Sequence, residues 1–414
     1  MKTVLITILL SSLVVLPSYS NDIVFDSELA WNEMISALHS DYAYLDKVTD
    51  DFRRLTPLFS QKALATKSPK AFIDVSHFFL RNLNDPHLNL SPFDNDDYSV
   101  YPTGSDIYAE IKDGKIAIID VKANSSAYEQ GIRSGMTIHS VDGLIYQEII
   151  KTVTGLSSDK LSQDQQRYAI NIALGGKRYQ QRTLTISTSE RVKTYRLDPS
   201  YDSINKLKSG PRVTYKKING IGYIRFNNSL GDNASVDEFK NAIKVLEQTD
   251  GLIIDLRNTP SGGNTSVAEP ILGHFIEIET AYQLYKTQKS GQQYSDASFQ
   301  KAIAQPQKPF IGKPFVVLAG RWTGSMGEGM TIGLDAFGAK AILGAPMADL
   351  LGGTKQIQLS ESSATLSLGF ERMYHVDGQF RENFEPTILL NAADTDESSN
   401  DITLLKALEV LTQR

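Results

Sequence analysis

The chain has 414 residues, enough for two or three domains rather than one. With 41% hydrophobic and 22% charged residues it reads as globular and soluble, and a net charge of −6 gives no electrostatic case for nucleic acid. The absence of cysteine excludes disulfides, a thiol nucleophile, cysteine zinc sites and a lipid anchor on Cys.

Residues 1–20 have the layout of a signal peptide. Lys2 precedes an apolar run from Val4 to Leu16, and Ser18-Tyr19-Ser20 places small residues for cleavage before Asn21. An uncleaved anchor helix is the alternative, but the run is shorter than the roughly 20 residues a bilayer span needs. Export to the periplasm or beyond is expected, with no stable membrane insertion after cleavage.

Residues 21–98 read as a helical domain. Leu29, Trp31, Met34, Ile35, Leu38 and Tyr42 share one helical face, and Phe72, Val75, Phe78, Phe79 and Leu83 share another. Pro86 stops that second helix just before His87. Residues 99–198 read as a β domain with a helical insertion. Asp113-Gly114 is a hairpin turn ahead of a strand over 115–121, and a second strand covers 182–187. Residues 199–414 alternate strand and helix, the pattern of a parallel or mixed sheet. Strands are expected at 221–226 and 252–256, with a helix over 236–248 between them. The polar stretch 285–307 reads as a surface loop that has room for a strand, 365–368 and 373–376 alternate as strands, and 391–400 is a polar linker.

Two stretches carry chemistry. In Phe315-Val316-Val317-Leu318-Ala319 a buried strand runs into the turn Gly320–Gly324, and a helix starts at Ser325. A serine there faces free backbone N–H groups and the positive end of the helix dipole. Ser325 can be read as a helix cap or as a nucleophile. In Leu252-Ile253-Ile254-Asp255-Leu256-Arg257 a strand runs into a loop that ends in Gly262-Gly263.

Together these stretches resemble the paired core motifs of the C-terminal-processing (tail-specific) serine peptidase family. The matching residues are Ile254-Asp255-Leu256-Arg257, Gly262-Gly263 and Ser325-Met326-Gly327-Glu328. Leu83-Asn84-Asp85-Pro86-His87 resembles the "L-x-D-x-H" ending of the helical region in the tricorn-like branch, where the histidine is the general base. Asn124 to Gly143 resembles a PDZ module, which binds peptides by β-augmentation. The loop Gly104-Ser105-Asp106-Ile107 would be its carboxylate cradle. The resemblance implies a multidomain α+β and α/β protein: a helical domain, a PDZ-like β domain, and a mixed α/β core of the ClpP/crotonase-like type.

It also implies roles. Ser325 is the expected nucleophile and His87 the base that makes its hydroxyl reactive. Glu382 is expected to orient the imidazole, with Glu385 as the alternative, and both also read as surface carboxylates. Met326 with Gly262 or Gly263 would form the oxyanion hole. Asp255 and Arg257 read as an ion pair that fixes the loop. A Ser–Lys dyad is the competing mechanism. Its lysine position falls on Leu350, and the nearest lysine, Lys355, lies five residues further on. A non-catalytic peptide-binding relative is the remaining reading. No metal or phosphate motif is present, so no cofactor is expected. The expected partner is a protein or peptide substrate, and the oligomeric state is open.

Overall fold

The computed structural model describes residues 25–188, 191–289, 292, 294–390 and 400–413. The expected signal peptide and most of the 391–400 linker lie outside them. The two expected helical faces become helices Ser27–Asp41 and Pro69–Arg81, and a helix that was not expected, Thr49–Leu64, lies between them with Pro57 inside it. The starts of the first and the last follow from capping chemistry. The Asp26 carboxylate accepts from the N–H groups of Glu28 and Leu29, and Ser68 caps the third helix with Pro69 in its first turn. Phe79 sits at the centre of the bundle, with ring centroids of Trp31, Phe52 and Phe59 at 5.2, 5.6 and 6.0 Å.

Next comes a five-stranded antiparallel sheet whose strands neighbour one another in chain order: Ile107–Lys112, Lys115–Val121, Thr137–Val141, Arg182–Ser187 and Val192–Leu197. Asp113 and Gly114 both have positive φ, 50° and 71°, as the tight hairpin turn requires. The helical insertion consists mainly of Tyr146–Thr154 and Gln163–Gly175.

The third part is a six-stranded sheet in the order Ile388–Leu389, Ile342–Gly344, Phe315–Ala319, Leu252–Asp255, Ile221–Phe226, Val213–Ile218. All neighbours are parallel except the last pair. Its two central strands are buried at every position, as a parallel sheet covered on both faces demands.

A further sheet joins the ends of the chain, and it redraws the expected boundaries. Strand Asn89–Ser91 pairs with Thr365–Tyr374, which also pairs with Thr280–Thr287 and Gly353–Gln358. Buried apolar residues from Ala30 to Leu197 form one continuous cluster together with Leu359, Ala364, Leu366 and Leu368. The helical segment therefore has no separate core. The polar 285–307 stretch holds the strand Gln300–Ala304, which is half exposed and so lacks an apolar signature. The two strands expected at 365–376 are one.

Candidate active site

The central parallel strands place the site. Leu318 lies in register with Asp255, so both motif strands end at the same level. Ligand sites in such sheets form beyond the carboxyl ends of the strands. The two loops that follow are stitched together there. Thr259 N–H donates to Trp322 O (3.0 Å), Gly324 N–H to Thr259 O (3.2 Å), and Thr323 Oγ1 to Leu256 O (3.0 Å). Asp255 and Arg257 fix the loop from below, as expected. The Arg257 guanidinium lies 2.8 Å from the carboxylates of Asp255 and Asp401, and Tyr223 donates to Asp255 at 2.6 Å. Burial alone would raise the Asp255 carboxyl, but Arg257 and Arg225 hold it well below the usual carboxylate range.

Ser325 opens the helix Met326–Ala336 with φ 50° and ψ −109°. Ordinary caps in this chain are extended: Asp26 has φ −96° and Ser68 has φ −152°. A serine at positive φ is strained, and such strain concentrates at functional sites. Glu328, one turn on, is buried and acts as a staple. Its carboxylate accepts from the N–H groups of Ser325 (2.6 Å), Asp349 (3.0 Å) and Leu350 (3.2 Å). Burial pushes its carboxyl up to about 8, against the opposing pull of Arg381.

Across from the serine lies Gly262, at φ 64°. A Cβ there would stand 2.5 Å from Ser325 Cβ and 3.2 Å from Met326 N. Its own N–H donates to Thr259 O at 3.0 Å, so Gly262 supplies space and not the expected oxyanion donor. The N–H groups of Gly263 and Met326 have no acceptor among the described residues and are the candidate donors.

His87 arrives from the helical part. Asp85 accepts its backbone N–H at 2.8 Å and is itself held by the Tyr42 hydroxyl at 2.8 Å. The imidazole Nδ1 lies 2.8 Å from Leu351 O. A carbonyl only accepts, so Nδ1 carries the proton and Nε2 keeps a free lone pair, the form a general base requires. Burial pushes the ring down to about 4; the Leu351 bond opposes this and the Arg381 charge adds to it.

Residues 347–351 bridge the two halves. Ala348 N–H donates to Thr323 O, Leu350 O accepts from Arg381, and Leu351 O accepts from His87. Arg381 also reaches Ser325 O at 3.4 Å. The expected third member of the triad is not on the ring. Glu382 pairs with Lys47, Glu385 is exposed, and the orienting bond comes from the Leu351 carbonyl. Arg381, one residue earlier, is the side chain that enters the site. Lys355 pairs with Asp41 and lies over Phe370 on the hairpin, so the structure does not bring it to Ser325.

The expected carboxylate cradle is also corrected. Gly104 and Ser105 spend their N–H groups on Val100 O (2.7 Å) and Pro102 O (3.0 Å), Asp106 is held by Arg182, and Ile107 is fully buried. The loop instead ties the β domain to both catalytic turns. Thr103 Oγ1 donates to Pro260 O (3.0 Å) and Trp322 Nε1 to Ser105 O (2.6 Å).

Residues 220–390, which include Ser325, both strand motifs and Glu382, match the model of peptidase family S41. The chain carries a peptidase family S41 domain. The match supports a serine-type peptidase, with peptides or proteins as substrates. Among solved structures, the photosystem II D1 C-terminal processing protease is 16% identical, with a TM-score of 0.60 over 94% of this chain and 98% of that one. Mature CPAF is 16% identical, with a TM-score of 0.64 over 93% and 96%. At that identity the likeness shows the fold, a multidomain mixed α/β architecture, and it extends well beyond the S41 domain on its N-terminal side. No curated protein matches the sequence. Among the described residues, no helix is long and apolar enough to cross a membrane, and no cluster of His, Asp and Glu could hold a metal ion.

Proposed function

We propose that the chain is an exported serine endopeptidase in which His87 and Ser325 form the catalytic pair. One observation carries the reading. A strained serine at a helix start and a neutral histidine with its Nδ1 proton committed are held by the same bridge, residues 347–351. The Ser325 hydroxyl attacks the scissile carbonyl as His87 Nε2 takes its proton. The N–H groups of Met326 and Gly263 receive the oxyanion. His87 then protonates the leaving amine, and water releases the acyl group by the reverse steps. The signal-peptide layout of residues 1–20 supports export.

The sheet from Ile107 to Leu197 is read here as the PDZ-like module. A cavity of about 510 Å³ opens between it and the core, lined by Gly104, Ser105 and Asp106 on one side and by Arg225 and Asn258 on the other. It has room for a stretch of substrate beside the loop that leads to Gly262, but with the Gly104 and Ser105 N–H groups spent it is not a cradle for a terminal carboxylate. A peptide-binding relative without hydrolysis is the second reading. Arg381 favours it, because a positive charge beside His87 works against the imidazolium that catalysis forms.

Fluorophosphonate labelling of the mature protein separates the readings. Labelling that is lost in Ser325→Ala and His87→Ala and kept in Lys355→Ala supports the pair. Loss in Lys355→Ala moves the base to that lysine. No labelling of the folded wild type, with or without unfolded protein substrate present, supports the non-catalytic relative.

A further inference from the structure

Arg321 lies four residues before Ser325, on the turn that presents the nucleophile. Its guanidinium stands 4.1 Å from the Tyr108 ring centroid. Its buried Nε has no hydrogen-bond partner, and no ion pair joins Arg321 to any described residue. Arg321 is half-buried, so its Nε is shut away from water without an acceptor while the rest of the fork stays open to an adjacent space. A cavity of about 80 Å³ is lined by Arg321, Arg167, Asn84, Tyr101 and Asp349. That is room for a few waters, and so for a carboxylate and its attached carbon. Its walls lead directly into the site: Asn84 and Pro86 into His87, Arg321 into Ser325, and Asp349 into the bridge that Glu328 holds.

We propose that this cavity is a substrate subsite for a carboxylate, bound by the Arg321 guanidinium with Arg167 beside it. The proposal rests on the peptidase reading, since it names what that site selects. A planar fork stacked on a tyrosine is pre-organised for two parallel N–H···O bonds to a carboxylate. Arg167 keeps an outer partner in Asp164 at 3.0 Å, which leaves Arg321 as the principal ligand. Asp349 shares the wall and feels the charge of Arg321 and, less, of Arg167, but it forms no ion pair with either within 4.0 Å among the described residues, so no carboxylate is hydrogen-bonded to the Arg321 fork. The carboxylate has two chemical sources, an Asp or Glu side chain and a free chain terminus.

The test measures peptide binding to Ser325→Ala protein, which keeps the complex from turning over. One arm compares N-acetylated, C-amidated decapeptides that carry Glu or Gln at each position in turn. The other compares a neutral decapeptide with a free or an amidated C-terminus. A roughly ten- to hundredfold preference for the carboxylate form is expected in one arm, the size of a charge-assisted hydrogen-bond pair. The preference should vanish in Arg321→Gln and survive in part in Arg321→Lys, which also checks that the turn still folds. Discrimination in the first arm assigns the carboxylate to a side chain; discrimination in the second assigns it to a terminus. Equal binding in both arms, no binding of any peptide, or a preference unchanged in the Arg321→Gln, Arg167→Gln double variant overturns the proposal. Fluorophosphonate labelling of the wild type reports on the peptidase reading separately, because binding to Ser325→Ala does not depend on hydrolysis.

Discussion

At the scale of the residue, Ser325 and His87 are set by different forces. The serine is held at positive φ by the helix behind it and by Glu328, while the histidine is held neutral by burial and by one carbonyl. Ser325→Ala or His87→Ala should lower kcat/KM by a factor on the order of 10⁴ or more in a peptide cleavage assay, with the melting curve little changed. Glu382→Gln should cost less than about tenfold, because the orienting bond is Leu351's. A loss as large as that of His87→Ala would return Glu382 to the triad. The pH profile is a second check. A base works only when neutral, and His87 is neutral above about 4. The acid limb of kcat/KM should therefore fall near pH 4 and not near 6.5.

At the scale of the element, the site is two loops clamped at the ends of two parallel strands. The bridge between Thr259 and Thr323 sets the gap between Gly262 and Ser325. Gly262→Ala brings a Cβ to 2.5 Å from Ser325 Cβ at a φ of 64°. The strain is on the order of 1–3 kcal/mol, and the serine must move. Labelling should fall at least tenfold, with a measurable drop in melting temperature. An unchanged labelling rate would show that the loop lies further from the nucleophile in solution. The clamp extends to the C-terminal helix Ile402–Thr412, since Asp401 at its start binds Arg257. Asp401→Asn should destabilise by about 1–3 kcal/mol, read in urea unfolding, because it loosens a charge-assisted pair at a buried guanidinium.

At the scale of the whole molecule, the site lies where three parts of the chain meet, and buried acids collect there. Burial lifts the carboxyls of Glu328 to about 8, Asp85 to about 7 and Asp349 to about 6. Each keeps a proton that the unfolded chain has already released, from its free value of 3.8 (Asp) or 4.5 (Glu) up to about 6 for Asp349, 7 for Asp85 and 8 for Glu328, so stability falls stepwise as the pH rises through those values. His87 acts the other way. Below 6.5 the unfolded chain binds a proton that the folded ring refuses down to about 4, so its contribution is lost as the pH falls. The melting temperature should peak in mild acid and decline towards pH 8.5. Glu328→Gln should flatten that decline, and a decline of unchanged slope would place the titration elsewhere.

The strand and helix periodicities, the Asp113-Gly114 hairpin and the motifs around Asp255, Ser325 and His87 were all legible in the chain, because each is a local pattern a few residues long. The strands expected over 182–187 and 221–226 both stand where the pattern put them. What local pattern could not supply was contact between residues far apart. Leu351, which offers only a backbone carbonyl, has no signature in sequence, yet it orients a histidine 264 residues away. Glu382 carries the right chemistry on the wrong side of its turn, and its neighbour Arg381 faces the serine instead. Gly262 was legible as a close approach but not as a donor whose N–H is already spent. By itself the sequence determined which elements form and which side chains could react. Only the tertiary structure decided which of them meet, because bridges such as residues 347–351 are set by hydrogen bonds between distant segments and not by the preferences of the residues within them.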